Sequence, residues 1–275
     1  MNKVVTLCNS EYFKYSKLFI QTRHRVDAKF IMYGPDLNPK QIHILEKEHI
    51  IYKHIDASIF NNKMQYLKFE VLLFELNNAK GVTFADADTY FCNDWVEVFA
   101  DTFDLGITVR TDMIKDNCLR AFSNGGVIFA KNTPKITRVL RYAMRVMNDG
   151  KSNMLKEYDE IWNTLESKFR PAHKRHFRTN LRCWCDQVFL SAIALSFHKA
   201  CPTAFKNKAM DALPFSYNLP MDGLDTFSTK FFNCDKYNHF TSDISAKKDN
   251  SIFIKHLKQE GRKKLTGKTE NLLGA

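Results

Sequence analysis

The stretch Val82-Thr83-Phe84-Ala85-Asp86-Ala87-Asp88-Thr89-Tyr90-Phe91 decides how the chain is read. An apolar, β-branched and aromatic run meets two acids spaced i, i+2 and then returns to apolar residues. Such a run predicts a short strand buried on both faces, with its carboxylates at the C-terminal end. In open α/β sheets, ligands bind in the crevice outside those strand ends. Two hard oxygen ligands placed there suit Mg²⁺ or Mn²⁺, with water or diphosphate oxygens filling the remaining positions. The residues thus point to a divalent ion that presents a nucleotide diphosphate. An acidic turn that merely ends a strand would look the same, and Asp-x-Asp arises about once by chance in a chain this long, so its setting must decide.

Residues 63–76, just upstream, read as an amphipathic helix, with Met64, Leu67, Val71 and Phe74 at helical spacing. Further back come a strand at 3–7, a turn with Asn9 or Ser10 as helix cap, and a helix at 13–24. A strand at 28–33 closes on Gly34-Pro35, followed by a helix at 39–49 and a strand at 50–55. This alternation is the pattern of an α/β, Rossmann-like sheet, mainly parallel and flanked by helices. Downstream, strands are predicted at 104–109 and 123–130, the latter entered through Gly125-Gly126, a pair that signals close approach to the backbone. Pro134 opens a helix lined by Ile136, Val139, Leu140, Ala143 and Met147. Met154, Tyr158, Ile161, Leu165 and Phe169 mark a second, making a helical hairpin insertion broken at Asn148-Asp149-Gly150. A helix at 186–194, an extended segment at 213–219 and a short strand at 252–254 ahead of His256 complete the prediction.

The chain has 275 residues, 23 of them Phe, and no Pro-, Gly- or Ser-rich linker divides it. One domain over 1–264 is expected, with 134–182 as a helical, basic insertion and 265–275 as a flexible tail. No apolar run approaches a membrane span, and the N-terminus lacks a signal-peptide pattern. The seven cysteines, an odd number in scattered surroundings, read as reduced thiols of a cytoplasmic protein. Lys and Arg exceed Asp and Glu, 41 against 30, for a net charge of +11. That excess favours a polyanionic partner: nucleic acid, phosphorylated glycan, or an anionic membrane face touched peripherally.

Other residues carry candidate chemistry. Lys68, on the helix before the acids, would neutralise charge developing on a leaving diphosphate. His256 precedes a basic run (Lys258, Arg262, Lys263, Lys264), and a neutral imidazole there suits Mn²⁺. Asp186, followed by Gln187, caps a helix or holds a sugar hydroxyl; Asn124 beside the glycines has the same capacity. His173, His176, Cys183 and Cys185 offer zinc ligands at an unusual spacing. The same segment carries Lys168, Arg170, Lys174, Arg175, Arg178 and Arg182 among Phe169, Phe177 and Trp184, a surface for docking an anionic acceptor.

Placed in order, these motifs resemble the GT-A fold glycosyltransferases, and most of all glycosyltransferase family 8, the glycogenin and lipopolysaccharide galactosyltransferase group. Leu7, Asn9 and Tyr12 are similar to that family's opening nucleotide-binding segment, and Lys68 with Phe84 to Asp88 to its lysine helix and metal-binding acids. Asn124-Gly125-Gly126-Val127, Asp186-Gln187, Leu213-Pro214 with Asn218, and His256 with Gly261 and Lys264 follow its later motifs. The resemblance covers roughly residues 3 to 264. It implies that Asp86, Asp88 and His256 hold Mn²⁺ or Mg²⁺. It further implies that Leu7, Asn9, Tyr12, Ala87, Lys68 and Lys264 bind a nucleotide-diphosphate sugar, UDP-linked in this group, and that Asn124, Asp186, Gln187 and Lys68 serve the reaction centre. Two extra residues separate His256 from Gly261, and the family's Pro-Trp after the lysine is missing. The function implied is transfer of a hexosyl or pentosyl group to an acceptor hydroxyl with retention; the positive charge favours hydroxymethylated DNA or phosphorylated lipopolysaccharide as the acceptor. Two further readings are a sugar-phosphate nucleotidyltransferase and a non-catalytic nucleic-acid-binding protein. The first would require a Gly-rich basic loop after the first strand, which Cys8-Asn9-Ser10-Glu11 does not supply.

Overall fold

The apolar run Lys3–Leu7 forms β1, buried along its whole length. The computed structural model describes residues 1–109, 123–149, 190 and 227–270. Parallel neighbours flank β1: β2 (Lys29–Gly34) sets Ile31 opposite Val5, and β4 (Gly81–Ala85) sets Phe84 there on the other side. β3 (Ile51–His54) adds a parallel edge beyond β2. Between these strands run α1 (Lys17–Thr22), α2 (Pro39–Lys47) and α3 (Ala57–Leu76). α2 begins where the sequence dictates, with Asn38 and Gln41 bonded reciprocally in a capping box and Pro39 as its first residue. The helix expected at 13–24 is instead three short pieces: 3₁₀ turns at Tyr12–Tyr15 and Arg23–Arg25 bracket α1. Ser16 donates its hydroxyl to the Phe13 carbonyl and Thr22 to that of Leu18, competing with the helical ladder.

The acidic stretch is also not one strand. It breaks at Asp86-Ala87-Asp88, leaving β4 in the main sheet and β5 (Thr89–Phe91) in a second one. The break is a tight turn, in which Thr89 donates both its N–H and its hydroxyl to the Asp86 carbonyl. β6 (Leu105–Val109), β7 (Ser123–Lys131) and β8 (Thr229–Asn233) complete a seven-stranded sheet in the order β3-β2-β1-β4-β7-β6-β8. β7 is antiparallel to β4 and β6, whereas β6 and β8 pair in parallel. The architecture is therefore α/β with a mixed, mostly parallel sheet flanked by helices. After β7 comes α4 (Pro134–Asp149); after β8 come α5 (Cys234–Tyr237), β9 (His239–Thr241), β10 (Ile254–Leu257) and α6 (Gln259–Glu270). The second sheet has the order β5-β10-β9.

Three further boundaries move. α3 begins at Ala57, capped by Asp56, ahead of the helix expected at 63–76. His256 lies inside β10, opposite Thr89 of β5, and not after a strand at 252–254. The tail expected from residue 265 is helical as far as Glu270, with Leu265 buried beside Leu18, Tyr90 and Leu257. The second helix of the expected hairpin, Asp186 and Gln187, the segment 213–219, the zinc candidates and the basic segment at 168–182 lie outside the described residues. Among the described residues no helix is long and apolar enough to cross a membrane, and Cys8, Cys92 and Cys234 are buried thiols outside any disulfide.

Alternation along the strands feeds two cores. Val5, Leu7, Val82 and Phe84 pack with α3 and α4, while Val4, Cys8 and Ala85 face an aromatic layer that includes Phe19, Phe30, Phe91 and Trp95. One buried carboxylate pins the first layer. Glu75, near the end of α3, pairs with Lys3 of β1 at 2.7 Å, with Lys53 of β3 and with the Tyr33 hydroxyl of β2. Burial alone would raise this carboxyl, but the Lys3, Lys53 and Tyr33 donors outweigh that and hold it below the ordinary glutamate range. Its contribution is thus complete above that range and fades as pH falls through the depressed folded-state value. Glu75→Gln, which leaves Lys3 buried without a counter-charge, is expected to cost about 3–5 kcal/mol at neutral pH. In denaturant titrations the gap to wild type should narrow as the pH drops below the glutamate range.

Candidate metal centre

In the order β3-β2-β1-β4 the chain reverses direction across the sheet between β1 and β4, and ligands collect at the C-terminal ends of such strands. Asp86 and Asp88 follow β4 there, and Leu7 ends β1, followed by Asn9 and Tyr12. The Asn9 side chain accepts from the Tyr12 N–H at 2.8 Å, which turns the chain so that the Tyr12 hydroxyl reaches Asp88 Oδ2 at 2.9 Å. β10 arrives antiparallel to β5, and the Leu257 N–H donates to the Asp88 carbonyl, placing His256 directly over the acids. Asp86, Asp88 and His256 each turn one ligand atom to a common point, all within 4.8 Å of one another.

The division of oxygens is orderly. Asp86 gives Oδ1 to Lys68 at 3.3 Å and turns Oδ2 to His256 Nε2 at 3.9 Å. Asp88 gives Oδ2 to Arg262 at 2.9 Å and to Tyr12, and turns Oδ1 to His256 Nε2 at 3.2 Å. Each carboxylate is therefore held by the chain through one oxygen and presents the other inward. Two carboxylate oxygens and one imidazole nitrogen make a donor set that takes Mn²⁺ or Mg²⁺ and leaves positions for outside oxygens.

The tautomer of His256 is set from the backbone outward. The Gly126 N–H donates to Asn124 Oδ1 at 2.8 Å, so that atom is an acceptor. Asn238 then donates Nδ2 to Asn124 Oδ1 at 2.7 Å and to the Thr108 hydroxyl at 3.2 Å, leaving its own Oδ1 to face His256 Nδ1 at 3.0 Å. The ring must carry its proton on Nδ1, which points Nε2 at the acids, and Phe240 stacks against it with centroids 4.9 Å apart. The glycine pair makes room for this. At Ile107/Thr108 the β6–β7 register slips and the backbone bulges. The bulge offers the Gly125 carbonyl to Lys68 at 3.2 Å and the Gly126 carbonyl to the Asp86 N–H at 2.8 Å. A Cβ on Gly126 would stand 2.8 Å from the His256 ring and from Asn124 Oδ1.

Burial by itself would raise the Asp88 carboxyl, yet His256, Arg262 and Tyr12 hold it below the ordinary aspartate range. Burial would lower His256, and the Asp88 and Asp86 carboxylates raise it above the ordinary histidine value. A cation taking Nε2 competes with the proton that these carboxylates favour there, so binding weakens as pH falls.

Of the sequence-predicted residues, the fold brings together Asp86, Asp88, His256, Lys68, Asn9 and Tyr12. Leu7 and Ala87 are buried. Asn124 is buried, with its carbonyl oxygen committed to Gly126 and Asn238, so it supports the imidazole. Lys264 is exposed on α6, and it is Arg262, two residues earlier, that reaches Asp88. Arg262 and Asn238 were missed as site residues: the first stood in an undifferentiated basic run, and an isolated Asn gives no signal at all. No family model matches the chain, and no curated protein matches it significantly. The chemistry of the site is therefore the ground for assigning a function.

Asn238→Ala removes the acceptor that orients the ring and should lower Mn²⁺ affinity about 10- to 100-fold without loss of fold. Titration of free Mn²⁺ by electron paramagnetic resonance, alongside circular dichroism, checks this. Unchanged affinity would mean that the ring is oriented by something else.

Proposed function

We propose that this chain is a metal-dependent glycosyltransferase of GT-A architecture, which moves a sugar from a nucleotide diphosphate to an acceptor hydroxyl. The observation that carries the reading is the meeting of Asp86, Asp88 and His256 at the C-terminal edge of the parallel strands, with Lys68 and Arg262 beside them. The mixed, mostly parallel sheet flanked by helices supports the reading, and a second sheet delivers His256 to the acids. Asp86 Oδ2, Asp88 Oδ1 and His256 Nε2 would hold the ion, which when bound supplies Lewis-acid neutralisation of the leaving diphosphate. Lys68 provides a fixed cation on the Asp86 side and Arg262 one on the Asp88 side, both held in place by the fold before substrate arrives. The likeness to family 8 supports a UDP-linked donor and retention of anomeric configuration. Net charge of +11 supports a polyanionic acceptor, DNA bearing hydroxymethylated bases or a phosphorylated glycan. The turn after β1 spends Asn9 on the Tyr12 N–H and carries no glycine-rich phosphate cradle, which disfavours a nucleotidyltransferase.

A thermal-shift screen of nucleotide sugars with Mn²⁺ tests the reading. A true donor at 100 times its Kd should stabilise the folded chain by about 2.7 kcal/mol. Asp88→Asn should abolish both that shift and sugar transfer. A binding protein without catalysis would show no Mn²⁺-dependent shift and no change on Asp88→Asn.

A further inference from the structure

With His256 neutral, as it must be to ligate an ion, the described charges around the ligand atoms cancel. Asp86 and Asp88 are balanced by Lys68, 3.3 Å from Asp86 Oδ1, and by Arg262, 2.9 Å from Asp88 Oδ2. Both cations sit on the outer oxygens, so they leave the three inward ligand atoms open while keeping their charge within a few ångströms of the centre. A divalent ion entering alone would make the cluster doubly positive. Asp88 and His256 are almost sealed from water, and charge imbalance there is screened poorly. A diphosphate entering with the ion removes the imbalance.

We propose that Arg262 makes cation binding conditional on a diphosphate: its fixed charge disfavours a lone divalent ion and favours the same ion accompanied by a nucleotide diphosphate. This rests on the diphosphate reading of the site given above. The mounting of Arg262 suits the role. α6 is anchored by Leu265 in the cluster of Leu18, Tyr90 and Leu257, and Arg262 Nε also lies 3.3 Å from the Leu257 carbonyl, to which it donates. The guanidinium carbon stands 6.0 Å from the centre of the Tyr12 ring, and the side chain is 34% exposed, so its charge is held in place without being sealed off from a ligand. A guanidinium stays protonated at every working pH, so this charge is constant. A residue that merely braced Asp88 would affect both binding events in the same direction. One that acts through charge must affect them in opposite directions.

Wild type, Arg262→Gln, Arg262→Lys and Lys68→Gln are compared in two titrations: Mn²⁺ alone by electron paramagnetic resonance, and UDP in saturating Mn²⁺ by calorimetry. Wild type should bind Mn²⁺ alone weakly, and UDP should strengthen retention of the ion by about tenfold or more. Arg262→Gln should bind Mn²⁺ alone about tenfold more tightly and UDP with Mn²⁺ more weakly. Arg262→Lys keeps the charge and should follow wild type, whereas Lys68→Gln, on the opposite carboxylate, should repeat the crossed pattern even if Arg262→Gln folds poorly. If the neutral variants weaken both titrations, or leave Mn²⁺ alone unchanged, the conditional role is overturned. If no protein in the set binds Mn²⁺ with or without UDP, the diphosphate reading fails and the proposal falls with it.

Discussion

A carboxylate with 1% of its surface exposed must be compensated, and the compensation of Asp88 organises the molecule around it. Three separate parts of the chain supply partners: Tyr12 from the turn after β1, His256 from β10 and Arg262 from α6. Removing any one would leave charge in a poorly solvated place, so the C-terminal strand and helix are bound to the main sheet by electrostatic necessity as well as by packing. The short second sheet makes sense on this basis. β5 and β10 are only long enough to register His256 over the acids, opposite Thr89.

Support for the imidazole extends well beneath the site. It begins at a backbone N–H, Gly126, and passes through Asn124 and Asn238 to the ring. Because the first donor in this chain cannot change its role, none of the later members has a choice of orientation. The price is a bulged, side-chain-free backbone at Gly126, where even a methyl group would strike the histidine. The bulge therefore serves the site and weakens the local ladder only where the site requires it.

Much of this was legible in the sequence, and the reasons for success and failure are physical. The parallel strands up to β4, α2 and most of α3 followed from buried runs and 3.6-residue periodicity, which depend on local residues alone, whereas the first helix was broken by Ser16 and Thr22 bonding back to the backbone. Lys68, Asp86, Asp88 and His256 stood out as candidates by residue type and order, and the fold brings them together. The division of residues 82–91 into two sheets was not legible, because both halves are equally apolar and only the partner strands, β1 and β10, distinguish them. Arg262 was hidden for a related reason: which of several basic residues on α6 meets Asp88 depends on the phase of that helix. Asn238 acquires meaning only when α5 and β9 carry it under the ring. Strands such as Thr229–Asn233 are short and half-buried, so they leave little pattern to read.

The central claim is that one ion is held by three ligand atoms drawn from two distant parts of the chain. Manganese anomalous scattering from crystals grown with Mn²⁺ and UDP tests it most directly. The account predicts a single strong peak within coordination distance of Asp86 Oδ2, Asp88 Oδ1 and His256 Nε2, with diphosphate oxygens completing the shell. A peak away from His256, or none between the paired acids, would contradict it.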